Sequence, residues 1–164
     1  MTDDEHRSTS ENSRVSGAGT RAEGVRAGPV SLALCALAAA CLVAATALPV
    51  LEVSVRDQAV PALARSGWEL HGPLFPLLAA VAVAGAALAA RGRLSGALGL
   101  AATGLVTLAI VIAGDGPDIG STGLIPGSLA EGSASAGPGF YLAILAGVTL
   151  LATGGLLALR HYEG

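Results

Sequence analysis

The chain of 164 residues contains no lysine, and all nine of its basic side chains are arginine. A phosphate-binding loop needs a lysine after its glycines and a strand before them. The glycine runs "GDGPDIGSTG" and "GSASAGPG" are expected to have neither. Arginine, alanine and glycine in excess, with lysine missing, suggest a GC-rich bacterial genome. Cysteine is also scarce. Cys35 and Cys41 lie six positions apart, about 240° around a helix, so they cannot bridge within one. Without further Cys or His at tight spacing they form no metal pattern, and small buried apolar residues is the role they suggest. Charged residues make up 13% of the chain and hydrophobic ones 52%, a balance too apolar for a soluble core and shell.

Charge is missing altogether from four long stretches, residues 27–51, 72–90, 94–114 and 132–159. A hydrocarbon layer about 30 Å thick needs roughly 20 apolar helical residues. The stretches are continuous rather than alternating, and a lipid-facing backbone must satisfy its own hydrogen bonds, so helices are expected. The expected fold is all-α and integral to the membrane: a four-transmembrane-helix bundle with spans near 30–51, 73–90, 94–114 and 139–159. The alanine-rich second span is marginal alone and is expected to insert with the third as a hairpin joined by "RGR". Around this domain, 29–160, lie a polar leader at 1–28, connections at 52–72 and 115–138, and a tail at 161–164.

Arg7, Arg14, Arg21 and Arg26 precede the first span, Arg91 and Arg93 separate the second from the third, and Arg160 follows the fourth; the other two connections hold only Arg56 and Arg65. By the positive-inside rule both termini are cytoplasmic and the longer connections external. The localisation expected is the bacterial plasma (inner) membrane, multi-pass. A rival reading makes the first span a cleaved signal peptide, with "ATA" at Ala45–Ala47 as the cleavage site. Against it stand a long leader carrying several acidic residues and an apolar run longer than a usual signal core. The leader lacks large apolar side chains, so disorder is expected, as a linker or as a phosphorylatable tail. Its Arg21 and Arg26 are near enough to anionic headgroups to gain about 1 kcal/mol each.

Ionisable residues inside a span would point to proton or ion pathways, and these spans have none. That disfavours a proton-coupled carrier, a voltage sensor and hydrolysis at membrane depth. Small and hydroxyl residues do fall at helical spacing: Ser95, Gly99, Thr103 and Thr107 in the third span; Gly139, Ala143, Gly147 and Gly154, beside Thr149 and Thr153, in the fourth. Close helix packing is the plain reading of such faces, and a polar lining for a small permeant is the alternative.

The stretch "SGWELHGPLFP" gathers the only tryptophan, Trp68, with Glu69 and His71. Ser66 and Glu69 read as a capping box, yet Pro73 and Pro76 forbid one continuous helix. A short interfacial turn that breaks at "GP" reconciles the two, with Trp68 at headgroup depth as an anchor. Glu69 and His71, two positions apart, do not face each other on a helix, which argues against a site. The connection 115–138 is rich in glycine and proline and too long for a plain helix–helix turn. It is expected to be a mobile external loop, open to protease near Gly132–Gly137, with a contact patch at Leu124, Ile125 and Leu129, or else a plain spacer. Asp115 and Asp118 offer at most a weak divalent-cation pair, lacking EF-hand spacing.

The segments "SGWELHGPLFPLLAAVAVAGAALAARGR" and "GPGFYLAILAGVTLLATGGLLAL" resemble small four-span membrane proteins of actinobacteria. The resemblance rests on a tryptophan before the second span and a Gly-x-aromatic-Leu start to the fourth, here Gly139, Tyr141 and Leu142, and covers roughly residues 30 to 160. It implies the four-span fold and carries no activity. The function expected is a non-enzymatic membrane protein acting by association, whose partners are the lipid bilayer and a membrane protein or a second copy, not nucleic acid. A passive channel or carrier for a small uncharged solute is the alternative, and a membrane enzyme with groups on its external loops comes third. No residue is assigned to catalysis, to a cofactor or to a metal.

Overall fold

The computed structural model describes residues 26–55, 58–59, 63–124 and 131–163. The leader expected to be disordered lies outside them up to residue 25, as do Ile125 and Leu129 of the expected contact patch. Four long helices form the body: α1 (Pro29–Ala47), α3 (Leu74–Ala90), α4 (Leu94–Ala109) and α5 (Pro138–Glu163). They pack as a ring in which α1 touches α3 and α5, and α4 touches the same two. Three helical segments, Pro29–Ala47, Leu94–Asp118 and Pro138–Glu163, are long and apolar enough to cross a membrane. α3 is equally apolar but has 17 residues, about 25 Å at 1.5 Å each. Large apolar side chains are exposed on all four, among them Val30, Leu77, Leu105 and Leu159.

Helix boundaries follow the prolines. Pro29 and Pro138 open α1 and α5, where a missing N–H costs nothing, and Pro73 and Pro76 bracket the first turn of α3. The start expected for the second span at one of its prolines therefore holds. The end expected for the first span at residue 51 does not. Leu48, which precedes Pro49, is extended at φ −91° and ψ 151°, because the proline ring disfavours helical geometry in the residue before it. The chain then continues as strand β1, Pro49–Val55, whose Val50, Val53 and Val55 suit a pleated backbone. At the far end of α4 the backbone widens into a π-helical turn, Ile110–Asp115, followed by a 3-10 turn at Gly116–Asp118.

The long connections build a sheet, which the all-helical expectation missed. β1 pairs antiparallel with β2 (Gln58–Ala59) and β3 (Arg65–Ser66) on one side and with β5 (Glu131–Ala136) on the other; β5 also pairs with β4 (Thr122–Leu124). The register sets Leu51 opposite Ala136 and Ser54 opposite Ser133, with the two serine hydroxyls 3.0 Å apart. The loop expected to be mobile is thus ordered over Glu131–Ala136. Its alternating Ser and Ala fit a strand between two partners, and satisfied backbone groups leave little for a protease to grip. Proteinase K applied to the folded protein should leave the bonds between Gly132 and Ala136 intact. Cutting there as fast as in the unfolded chain would show that β5 is not paired.

Candidate functional site

Ser66, Trp68, Glu69, His71, Asp115 and Asp118 gather at the sheet end, where α1 and α4 finish and α3 and α5 begin. Gly67–His71 forms a five-residue helix, α2, with both arms of the capping box made: Ser66 Oγ accepts from the Glu69 N–H at 3.3 Å, and Glu69 Oε2 accepts from the Ser66 N–H at 2.9 Å. Gly72 then adopts φ 56°, a left-handed conformation that glycine enters without a Cβ penalty, and α3 starts two residues on. Box and break coexist because the capped helix is only one turn long. Trp68 projects from it and is 57% exposed, as an interfacial anchor requires. Gly67 lies against the Ala45 carbonyl of α1, so no larger residue fits there.

Glu69 and His71 part company, as their spacing predicts. The Glu69 carboxylate turns back to its own cap. His71 Nε2 instead meets Asp115 Oδ2 at 3.0 Å, with the two side chains only 13% and 6% exposed, and its ring tilts against Phe75 one turn later at 4.9 Å. This pair ties α2 to the end of the π turn, 44 residues away in sequence. The two aspartates considered as a cation pair are divided between different tasks: Asp115 is buried on His71, while Asp118 is exposed and its carbonyl accepts from Ser121 Oγ at 2.7 Å. Among the described residues no three His, Cys, Asp or Glu side chains gather around a common point.

One face of the sheet is concave. A cavity of about 620 Å³ opens there, floored by Val53, Gly123, Gly132 and Ala134 and walled by Leu63, Arg65, Glu69 and Leu124. Small residues on β4 and β5 leave the space, and α2 supplies its acidic rim. A second hollow, of about 570 Å³, lies between α1 and α3 and is wholly apolar, lined by Ala39, Val43, Pro76, Ala79 and Val83 among others.

Inside the bundle the expected α5 line packs at Gly147 and Gly154, but it meets Ala97, Ala101 and Gly104 of α4 and not the expected line from Ser95 and Gly99, where Ser95 is exposed and nothing lies within 4 Å of a methyl on Gly99. A methyl group on Gly104 of α4 would sit 2.5 Å from the Gly147 carbonyl oxygen of α5, and one on Gly154 would sit 2.7 Å from the Ala97 carbonyl oxygen. Thr103 and Thr107 are buried, and their hydroxyls donate within α4, to the Gly99 and Thr103 carbonyls at 2.8 and 2.9 Å; Thr149 does the same within α5, to the Leu145 carbonyl at 2.7 Å. Gly139 meets the Leu48 carbonyl where α5 passes under β1. Cys35 and Cys41 are both free thiols, the first buried.

Sequence reasoning missed the sheet and, with it, the His71–Asp115 contact. The strands had a legible signal in the β-branched "VLEVSV" and the alternating "EGSASA". The histidine–aspartate pair had none, because nothing local relates residues so far apart. Compared with known proteins, the chain matches no family model, no curated protein and no solved structure.

Proposed function

We propose that this chain is a non-enzymatic protein of the bacterial plasma membrane that crosses it four times, with both termini in the cytoplasm, and acts by association through the sheet end on the outer side. The observation that carries the reading is that both long connections combine in one sheet whose concave face stays open, with Arg65 and Glu69 at its rim. A connection that served only as a spacer has no use for strands paired across the molecule. The arginine distribution supports the orientation. The apolar α3, short by itself, gains length from the α2 turn beside it, which supports a fourth crossing. Reporter fusions after residues 25, 62, 92, 126 and 163 test the topology, and an external signal at 92 overturns it. Photo-crosslinking from Val53 and Ala134 in intact membranes tests the association: a discrete adduct, with the partner or with a second copy, supports it, and labelling of lipid alone refutes it.

The solute-channel alternative needs the threonine face of α4 to line a path. The threonine hydroxyls are bonded to their own helix, and backbone contacts fill the seam beside them, which favours association. Thr103→Val with Thr107→Val should therefore lower stability by no more than about 1 kcal/mol, given roughly 0.6 kcal/mol for an average intramembrane hydrogen bond. Liposome flux measured on this variant is expected to match the parent. A specific flux lost on substitution in a folded protein would instead establish the channel.

A further inference from the structure

At the end of the bundle opposite the sheet, the segment before α1 is fastened to the α3–α4 turn. The Ala27 N–H donates to the Ala89 carbonyl at 3.2 Å, and the same oxygen accepts the Gly92 N–H at 3.0 Å. Gly92, at φ 72°, reverses the chain. The fastening brings Arg26 beside Arg91 and Arg93, all three exposed, with Arg160 at the same end on the last turns of α5. Among the described residues the one ion pair is His71–Asp115 at the other end, and no described carboxylate pairs with these arginines.

We infer that Arg26, Arg91 and Arg93 form a binding site for the phosphodiester headgroup of an anionic phospholipid. The inference rests on the chain spanning a bilayer. Guanidinium groups are planar donors suited to the two free oxygens of a phosphodiester, and the three-residue turn Arg91–Arg93 lies at headgroup depth because α3 ends and α4 begins beside it. The Ala27–Ala89 hydrogen bond holds the backbone before α1 to the end of α3, so less backbone freedom is lost on binding than by arginines on separate flexible segments. The site differs from the general attraction of basic residues to an anionic surface in that it should hold one lipid through delipidation.

The test uses the full chain purified in mild detergent and incubated with phosphatidylglycerol or phosphatidylcholine, with retained lipid counted by mass spectrometry. Phosphatidylglycerol should be retained at least about tenfold more strongly than phosphatidylcholine. Arg26→Gln, Arg91→Gln and Arg93→Gln together should weaken it roughly a hundredfold, from about fivefold for each arginine near a phosphate. Arg91→Gln alone should weaken it about fivefold, and Arg56→Gln, the same single charge change placed in the connection 52–72, should leave retention unchanged; an equal loss there would reduce the effect to net charge and overturn the site. If the triple variant does not fold, the parent protein decides the matter, since raising salt from 0.1 to 0.5 M should cut retention severalfold and a flat response refutes an exposed ionic site. Inorganic phosphate that displaces the lipid at equal concentration would show a free-anion site instead. Flotation on neutral vesicles separates the two readings: a chain that floats but retains no phosphatidylglycerol overturns this inference alone, and one that does not float overturns the membrane reading with it.

Discussion

Gly104→Ala destabilises the bundle by about 3 kcal/mol, whereas Gly99→Ala, on the same helix, leaves it at least as stable. The added methyl at Gly104 meets the Gly147 carbonyl oxygen at 2.5 Å and the backbone of Leu151. Backbone atoms cannot rotate aside as a side-chain tip can. α4 and α5 must separate along the whole seam, loosening the Gly154–Ala97 contact as well, which puts the cost at the upper end of the usual overpacking range of about 1–3 kcal/mol. At Gly99 nothing lies within 4 Å, so the methyl meets open space and raises helix propensity by about 1 kcal/mol. In a membrane helix–helix seam there is no hydrophobic drive to compensate for lost contact, which makes the difference between the two sites large. Unfolding of both variants in detergent by SDS titration measures it. Equal midpoints would show that the α4–α5 seam is not as close as described.

Breaking the His71–Asp115 pair is the second large effect. Asp115→Leu leaves a mostly buried imidazole without its partner and should cost about 2–3 kcal/mol; His71→Leu leaves a buried carboxylate instead and should cost more, about 3–4 kcal/mol, since a charge is dearer to desolvate than a neutral ring. The double variant His71→Leu/Asp115→Leu should be less destabilised than the sum, with a coupling of about 1–3 kcal/mol, because each single change leaves a polar group stranded and the double change leaves none. Trp68 lies on the same short helix as His71 and is the only tryptophan, so its fluorescence reports the loosening of α2 directly. Strict additivity of the two substitutions would show that the side chains do not interact.

Much of the fold was legible because membrane-length helices are written locally. The uncharged runs located four long helices, and Pro73 and Pro76 located the start of one of them. The first span was read too long because hydrophobicity alone does not distinguish Val50–Val53 in a helix from the same residues in a strand; the extended Leu48 before Pro49 was the local signal that decided it. The Gly/Ser-rich stretch before α5 read as a mobile loop because its strand owes its order to β1, at the other end of the sequence, and not to its own apolar weight. The same logic applies to the site. The capping box was readable from Ser66 and Glu69, three residues apart, and the small face of α5 from its helical spacing, whereas on α4 the spacing picked the Ser95–Gly99 line in place of Ala97, Ala101 and Gly104. His71 and Asp115 meet only because α3 and α4 run side by side, and the concave face exists only once four strands are assembled.

The pairing of β1 with β5 imposes an order of events. β1 is synthesised straight after α1, and its partner Glu131–Ala136 only after α3 and α4, with Ser54 and Ser133 79 residues apart. In the interval β1 can pair only with the short β2 and β3, leaving one edge open, the kind of edge that invites pairing with another chain. Such distant contacts form late, since the intervening chain must be brought together before they reward it. Closure of the sheet therefore cannot precede the synthesis of α3 and α4. A ribosome-arrested chain ending before β5 leaves that edge of β1 unpaired, and only a chain that has released Glu131–Ala136 can cover it.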